Sequence, residues 1–201
     1  MKLIVISGPS GSGKTTLSKI IVQKLKDGII LNTDNYYKTG IISQILSKTV
    51  NCYFDRRISF NYRLFKKDLE FILKNRFSTF SYEYNFKAKS IKKIYKKTKN
   101  IKFVIIEGIF GQETIKYFSA DNCILINLKT DKQSCMERVI KRDFEERGKN
   151  KYLAKKDFLK AWDLFYKNKK KSNQIDYLKK IMLENKSEIS SLLKDLTNIM
   201  N

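Results

Sequence analysis

Residues 8–16 read Gly-Pro-Ser-Gly-Ser-Gly-Lys-Thr-Thr, and they constrain the fold more than any other part of the sequence. The six residues before them, Lys2–Ser7, are mostly leucine, isoleucine and valine, as expected of a buried strand in a parallel sheet. The apolar residues after them recur at the spacing of one helix face, namely Leu17, Ile20, Ile21 and Leu25. A strand, a glycine-rich turn and a helix in this order predict an open α/β fold.

The same residues match the pattern Gly-x-x-x-x-Gly-Lys-Thr of a phosphate-binding loop. The glycines permit backbone angles that turn successive N–H groups toward one point, and the following helix adds the positive end of its dipole. We expect Lys14 to be exposed in this nest and to reach the β- and γ-phosphates of ATP, while the Thr15 hydroxyl ligates Mg²⁺. A short pattern can match by chance, but the flanking strand and helix favour a true loop. The predicted nucleotide-binding residues are Gly8, Ser10, Gly11, Ser12, Gly13, Lys14, Thr15 and Thr16.

The rest of the sequence alternates between strand-like and helix-like segments. Gly28 is predicted to end the first helix, and Ile29–Leu31 to form the second strand. Between residues 77 and 100 aromatic and polar residues alternate, which is typical of a hairpin or of edge strands. Further strands are predicted at Ile101–Ile106 and Cys123–Leu128, helices at Tyr62–Asn75, Thr130–Arg147, Leu153–Lys167 and Ser187–Met200, and an ambiguous element at Ile175–Leu183. The pattern predicts a doubly wound, mostly parallel sheet flanked by helices, in one domain over residues 1–201.

The composition limits the classes of function. A net charge of +22 would ordinarily suggest a nucleic-acid partner, but the excess is mostly lysine and accompanies abundant asparagine and isoleucine, as an A/T-biased coding sequence produces. We therefore expect a solvated lysine surface and no specific nucleic-acid site. The absence of histidine excludes histidine-based catalysis and histidine-ligated metals. Three widely spaced cysteines fit neither disulfides nor zinc, and no apolar run could span a bilayer, so a cytoplasmic protein is expected.

Two acidic residues follow predicted strands, where open α/β sheets bind their ligands. Glu107 comes directly before Gly108 and is the candidate for orienting Mg²⁺, although it could also be an ordinary carboxylate at a strand end. Asp34 follows the second strand and could accept the proton of an attacking hydroxyl, as a kinase base does. The alternative for Asp34 is the cap of a helix that begins at Asn35.

Five collinear segments between residue 3 and about residue 150 resemble the uridine kinase (uridine–cytidine kinase) family, which belongs to a larger group with phosphoribulokinase. The segments are the phosphate loop, Thr33–Tyr37, Phe54–Phe60, Ile105–Phe110 and Lys141–Lys149. Five ordered motifs are far more specific than any one of them. The resemblance implies a P-loop NTPase fold with a lid helix, here in the region of about residues 131–150.

The resemblance also implies roles for individual side chains. Asp34 corresponds to the family's catalytic base, and Asp55 to the aspartate that holds the ribose hydroxyls of the acceptor. Arg142 and Arg147 correspond to lid arginines that neutralise charge at the transferred phosphoryl group. As an alternative, these arginines form surface ion pairs with the neighbouring residues Glu145 and Glu146. The predicted catalytic residues are Asp34, Lys14, Arg142 and Arg147.

The sequence departs from the family where the pyrimidine is recognised. The family's Tyr-Asp-Phe-x-x-His-x-Arg segment corresponds here to residues 84–91, with Tyr84 retained, Lys89 at the histidine and Ile91 at the arginine. Tyr84 and Lys89 are the predicted substrate-binding residues beside Asp55, although a tyrosine such as Tyr84 is more often part of the core. In the lid, Lys149 replaces the last arginine.

Together these observations predict an ATP-dependent kinase that phosphorylates a small hydroxyl-bearing metabolite, with Thr15 and Glu107 holding Mg²⁺. The 5′-hydroxyl of uridine or cytidine is the first candidate acceptor. Another nucleoside, a sugar phosphate or a vitamin is the alternative, and a basic P-loop protein that acts on nucleic acid is a more distant one. No membrane is expected as a partner, and a homo-oligomer is left open.

Overall fold

The computed structural model of the protein describes residues 1–75, 78–85, 88, 90–97, 100–115, 122–171 and 179–200. The strands are β1 (Lys2–Ser7), β2 (Gly28–Asn32), β3 (Ser78–Asn85), β4 (Ser90–Lys97), β5 (Phe103–Glu107), β6 (Cys123–Leu128) and β7 (Lys179–Leu183). One sheet is parallel, with the strand order β2–β5–β1–β6–β7, while β3 and β4 pair as an antiparallel hairpin. This arrangement confirms the predicted α/β class.

Helices cover both faces of the parallel sheet. The helices are α1 (Lys14–Leu25), α2 (Ile41–Thr49), α3 (Tyr62–Lys74), α4 (Gly111–Thr114), α5 (Lys132–Glu145), α6 (Lys151–Lys171) and α7 (Ile189–Met200). Leu17 of α1 and Leu192 of α7 belong to one hydrophobic cluster with the isoleucines that β1, β5 and β6 direct to one face. Phe65 of α3 belongs to a second cluster with Val5 and Val104, on the other face. Burial on both faces explains the continuous apolar runs of these strands and confirms the doubly wound fold.

The hairpin β3–β4 confirms the first of the two structures predicted for the aromatic alternation. Its pairing runs from Ser78 opposite Lys97 to Asn85 opposite Ser90. Its buried residues alternate along β3, and they are Phe80, Tyr82 and Tyr84. Since successive residues of a strand point to opposite faces, one face of the hairpin packs on the core and the other faces away from it.

The prediction that Gly28 ends the first helix is wrong. The helix α1 ends at Leu25, and Lys26 and Asp27 form the turn with φ angles of 56° and 53°. Gly28 is the first residue of β2, and a Cβ atom there would lie 2.2 Å from the ring of Phe103 on the paired strand β5. The glycine therefore permits a close contact between two strands and does not terminate the helix.

Several elements differ from their predicted boundaries by a few residues. The helix α5 begins at Lys132, because the side chain of Asp131 caps it by accepting a hydrogen bond from the Ser134 N–H at 2.8 Å. The helix α6 extends beyond both of its predicted ends. The ambiguous segment contains β7, which pairs with β6, while residues 172–178 lie outside the described part of the chain. Within that part, no helix combines the length and apolar character needed to cross a membrane.

Candidate active site

The phosphate loop is shaped by two glycines in left-handed backbone conformations. Gly11 has a φ of 81° and Gly13 a φ of 94°, which other residues rarely adopt. A Cβ atom at Gly11 would lie 2.4 Å from the carbonyl oxygen of Cys135, so the loop packs directly on α5. At Gly8 the absence of a side chain lets Ser12 pack closely against the main chain, since a Cβ atom there would lie 2.6 Å from Ser12 Oγ. The loop ends where α1 begins, as an anion-binding nest at a helix N-terminus requires.

Lys14 lines a cavity of about 240 Å³ beside the loop, called here the phosphate cavity. The prediction that Lys14 is exposed is wrong, because only 8% of the residue is accessible to solvent. Its side chain runs beneath the loop, and its Nζ donates to the carbonyl oxygens of Gly8 at 3.0 Å and Pro9 at 2.8 Å. Burial lowers the pKa of Lys14, and the carboxylates of Glu107 and Asp34 oppose this change. The other residues that line the phosphate cavity are Ser10, Gly11, Gly13, Thr15, Thr16, Asp34, Glu107, Ile109, Arg138, Val139 and Arg142.

The fold brings Thr15 and Glu107 into contact, with Thr15 Oγ1 donating to Glu107 Oε1 at 3.0 Å. Glu107 ends β5 at the level of Ile6 on β1, so strand pairing holds its carboxylate beside the loop that follows β1. Burial raises the pKa of Glu107, and the ammonium of Lys14 opposes the rise. A hydroxyl and a carboxylate side by side suit a hard cation such as Mg²⁺. Over the described residues no group of three His, Cys, Asp or Glu side chains could hold a metal, and a Mg²⁺ ion at this pair would take its other ligands from phosphate oxygens and water.

Asp34 lies in a short 3₁₀ turn, Thr33–Tyr36, directly after β2. The alternative that Asp34 caps a helix is wrong, because the cap is Asn32, whose Oδ1 accepts from the Asp34 N–H at 2.8 Å. The Asp34 side chain is therefore available for another role. Its Oδ1 accepts a hydrogen bond from the hydroxyl of Tyr37 at 3.2 Å, and its carboxylate lines the phosphate cavity.

Asp34 also lines a second cavity of about 290 Å³, called here the acceptor cavity. Asp55 lines the same cavity from a second 3₁₀ turn, Tyr53–Asp55. Burial raises the pKa of Asp55 to about 7; the negative charge of Asp34 adds to this effect and the guanidinium of Arg147 opposes it. Further residues that line the acceptor cavity are Ser10, Tyr37, Ser47, Val50, Cys52, Tyr53, Phe54, Ile109, Val139, Arg142, Asp143, Arg147, Lys149, Asp157, Phe158 and Ala161.

Main-chain hydrogen bonds join the two segments that carry these aspartates. The Lys38 N–H donates to the Ser59 carbonyl at 2.7 Å, and the Asn61 N–H donates to the Tyr36 carbonyl at 2.8 Å. The segment after Asp34 thus runs beside the segment after Asp55. This pairing explains how two motifs some twenty residues apart in the sequence come to face one cavity.

The lid arginines Arg142 and Arg147 both pair with Asp143. The distances to Asp143 Oδ1 are 2.8 Å from Arg142 Nη2 and 3.3 Å from Arg147 Nη1. Asp143 is buried, so these pairs are not the surface pairs with Glu145 and Glu146 that formed the alternative. Arg142 lines both the phosphate cavity and the acceptor cavity, while Arg147 lines the acceptor cavity. The fold therefore places one positive charge where the two cavities adjoin and a second in the acceptor cavity.

Tyr84 lies behind the acceptor cavity and is not among the residues that line it. It is buried, its ring packs edge-on against Tyr37 at 5.4 Å and Phe54 at 6.1 Å, and its hydroxyl donates to the Lys38 carbonyl at 3.3 Å. It thus touches residues that line the cavity. Lys89, the other residue predicted from the hairpin, lies outside the described residues.

Two further residues belong to the site and were not predicted. Arg138 Nη1 donates to the Gly11 carbonyl at 3.1 Å and lines a third cavity of about 300 Å³ on the far side of the loop. Arg138 could have been predicted from the sequence, because it lies four residues before Arg142 and so shares one face of helix α5 with it. Tyr37 lies within the Thr33–Tyr37 motif, but no role was predicted for its side chain. The third cavity is lined by Ser12, Gly13, Thr16, Leu17, Ile20, Leu128, Thr130, Arg138, Leu183, Glu184, Asn185 and Ile189.

Comparisons of sequence show the family. Residues 3–159 match the model of the phosphoribulokinase / uridine kinase family. The chain is 35% identical to the uridine kinase of Mycoplasma genitalium over 156 residues, which are 74% of this chain and 69% of that protein. It is 30% identical to the uridine kinase of Leuconostoc citreum over 167 residues, or 76% of each chain.

Comparisons of structure agree with the fold. YFH7 from Saccharomyces cerevisiae superimposes with a TM-score of 0.63 at 12% identity, covering 92% of each chain. A possible uridine kinase from Bacillus stearothermophilus superimposes with a TM-score of 0.55 at 14% identity, covering 90% of this chain and 88% of that one. The resemblance drawn from the five motifs is confirmed. The chain belongs to the phosphoribulokinase / uridine kinase family and is an ATP-dependent kinase.

Proposed function

We propose that the chain transfers the γ-phosphoryl group of Mg²⁺-bound ATP to the 5′-hydroxyl of uridine or cytidine. The observation that carries the proposal is that Asp34 and Arg142 line both the phosphate cavity and the acceptor cavity. A base and a positive charge at the junction of two cavities are what phosphoryl transfer between two bound molecules needs.

In the proposed reaction the carboxylate of Asp34 accepts the proton of the acceptor's hydroxyl. The hydroxyl oxygen forms a bond to the γ-phosphorus, and the bond from that phosphorus to the bridging oxygen breaks to release ADP. Arg142 and Arg147 neutralise the charge that spreads over the transferred group. Their shared partner, Asp143, holds both guanidinium groups at the cavity until phosphate oxygens compete for them.

On the donor side, the loop amides and the ammonium of Lys14 bind the phosphates of ATP. Thr15 and Glu107 would hold Mg²⁺, which neutralises charge on the phosphate oxygens when it is bound. We assign the nucleoside of ATP to the third cavity, because Thr16 and Arg138 line both that cavity and the phosphate cavity. A ligand that spans the two cavities would place its phosphates at the loop.

On the acceptor side, Asp55 would accept hydrogen bonds from two neighbouring hydroxyls of a ribose. A pyrimidine nucleoside is favoured over other acceptors because relatives at 30% and 35% identity that cover about three quarters of the chain are uridine kinases. Lys89 stays a predicted contact of the acceptor's base, while Tyr84 would act from behind the cavity, through its ring contacts with Tyr37 and Phe54. The region of about residues 131–150 is proposed as a lid, since it carries Arg142 and Arg147 at the cavity opening.

A turnover screen tests this function. The purified protein is incubated with ATP and Mg²⁺ and with nucleosides, sugar phosphates and vitamins in turn, and product formation is followed by chromatography. We expect uridine and cytidine monophosphates as products, and product formation at least about a hundredfold slower with Lys14→Ala protein purified in the same way, which controls for contaminating kinases. Turnover of an acceptor from another class, with none of either pyrimidine nucleoside, would contradict the proposed acceptor.

A further inference from the structure

Tyr37 makes a hydrogen bond to the proposed base that the reaction as described does not use. Its hydroxyl donates to Asp34 Oδ1 at 3.2 Å, and the tyrosine is 4% exposed. It follows Asp34 by three residues, the spacing at which side chains of a 3₁₀ turn lie on one side. Both residues line the acceptor cavity. The hydrogen bond therefore lies at the wall of the cavity from which the acceptor's hydroxyl would approach Asp34.

The ring of Tyr37 is held in place by three other aromatic rings. It packs edge-on against Phe54 at 4.9 Å, Tyr84 at 5.4 Å and Phe110 at 6.4 Å between ring centroids. Its main chain also forms a bridge with Phe60. Edge-on contacts on several sides fix both the position and the rotation of a ring. The hydroxyl that reaches Asp34 is thus attached to a rigid support.

The chemistry of the pair suits orientation of a base. A carboxylate has two oxygens, and a donor fixed on Oδ1 leaves Oδ2 to accept a proton from another hydroxyl. Burial raises the pKa of Tyr37 well above its usual range, and the carboxylates of Asp34 and Asp55 add to this. The phenol consequently keeps its proton at neutral pH and stays a donor.

We propose that Tyr37 is a positioning residue for phosphoryl transfer, which holds the Asp34 carboxylate in the orientation that accepts the acceptor's proton. The inference rests on the proposed function, in which Asp34 is the base. Because Tyr84 of β3 packs against the ring of Tyr37, the hairpin also helps to hold the Asp34 carboxylate in this orientation. The hairpin then acts on the reaction even though none of its described residues lines the acceptor cavity.

A double-mutant cycle tests the proposal with Tyr37→Phe and Asp34→Asn, alone and together. Tyr37→Phe keeps the ring and removes only the hydroxyl. We expect kcat to fall about tenfold, as for a small misplacement of a catalytic group, with the KM for ATP unchanged. In the Asp34→Asn background the same change should alter the residual kcat less than about twofold, because a base that is absent cannot be misoriented.

Tyr62→Phe is the matched control, since the hydroxyl of Tyr62 also donates to a carboxylate, that of Glu113, and neither residue lines the phosphate cavity or the acceptor cavity. It should leave kcat unchanged. An equal fold-loss from Tyr37→Phe in both backgrounds, or a loss confined to KM, would overturn the positioning role. Near-normal turnover of Asp34→Asn alone would instead overturn the proposed function, so the two failures are distinguishable.

Discussion

One continuous loop supplies half of the residues that line the phosphate cavity, whereas the acceptor cavity is lined by residues from several distant parts of the sequence. The loop of residues 8–16 supplies half of the residues that line the first, and its shape depends on the left-handed conformations of Gly11 and Gly13. The second draws Asp34, Asp55 and Arg147 from three segments that meet only in the folded chain. Nucleotide binding thus depends on a local conformation, and acceptor binding on tertiary packing.

This difference teaches which parts of the site can change independently. A main-chain nest tolerates few substitutions at its glycines, because a Cβ atom at Gly11 would collide with the carbonyl of Cys135. In a cavity lined by side chains, a substitution can change one contact with the ligand and leave the backbone in place. Substitutions on the two sides should therefore affect different kinetic constants.

The largest effect is expected on the acceptor side, from Asp34→Asn. The amide cannot accept a proton at neutral pH, so phosphoryl transfer should fall about 10²–10⁴-fold, the usual weight of general-base catalysis. The affinity for ATP should barely change, because the loop amides and Lys14 hold the phosphates. Steady-state turnover and nucleotide titration check both parts, with the exposed Asp163→Asn as control. Unchanged turnover would show that Asp34 is not the base, and the acceptor side would then have no residue assigned to that role.

On the donor side, Lys14→Ala should lower kcat/KM for ATP about 10²–10³-fold, as loss of a preorganised donor does in other active sites. The Nζ atom donates to two carbonyls of the loop and to no other element of the fold that the structure describes. The variant should therefore unfold at nearly the same temperature as the wild type. Calorimetry and ATP titration measure the two quantities. Lys24→Ala, in the last turn of α1, is the control. A loss of acceptor affinity with normal ATP affinity would contradict the separation of the two sides.

The comparison also explains what could be predicted from the sequence. The loop, Thr15 and Glu107 were identified because a contiguous motif and a strand end define them. The burial of Lys14 could not be predicted, since it depends on how the loop covers its own side chain. The role of Gly28 was mistaken because a glycine after a helix usually ends it, and only the fold brings the ring of Phe103 against it.

The acceptor side was less predictable for a physical reason. Asp34 and Asp55 were found through their motifs, but their shared cavity depends on hydrogen bonds such as that from the Asn61 N–H to the Tyr36 carbonyl. Tyr37 belongs to the same motif as Asp34, but its hydrogen bond to the Asp34 carboxylate and the rings that hold it depend on the folded chain. Long-range contacts of this kind do not have a local pattern.

Asp55 should have a smaller effect, on the KM for the acceptor, and that effect should depend on pH. The raised pKa of about 7 means that the carboxyl is protonated at acidic pH, whereas binding two hydroxyls requires the ionised form. The KM for the acceptor should therefore fall as pH rises through about 7, while the KM for ATP should not follow the same curve. We expect Asp55→Asn to raise the acceptor KM about tenfold at pH 8, the loss of one charged hydrogen-bonding partner. An acceptor KM that is flat with pH would contradict this role.

The same group should lower stability at neutral and alkaline pH. In an unfolded chain aspartate ionises near pH 3.9, about three pH units below its folded pKa of about 7. Between these values the folded state retains a proton that the unfolded chain has released, so rising pH favours unfolding. Asp55→Asn should accordingly raise the melting temperature relative to the wild type above pH 7, with a smaller gain at pH 5. Thermal unfolding at the two pH values measures this difference.

The smallest effect is expected in the choice among acceptors. Where the resemblance implies an arginine and a histidine, Ile91 cannot form a hydrogen bond to the pyrimidine edge, and Lys89 offers only a flexible ammonium in place of a ring. A site that lacks such partners discriminates less well, and we expect kcat/KM for uridine to exceed that for other nucleosides by less than about tenfold. Competition between pairs of nucleosides measures the ratio directly. Exclusive use of uridine and cytidine would show that other side chains have taken over recognition.

The order of strands in the sheet also bears on how the protein is made. The strand β1 ends at residue 7, and its neighbours in the sheet, β5 and β6, begin at residues 103 and 123. A ribosome delivers the phosphate loop early, yet the strand that supports it must wait for partners synthesised much later. Pairing over such a separation is slow, and β1 exposes apolar surface during the delay. The part of the chain that is easiest to recognise is thus among the last to acquire its final structure.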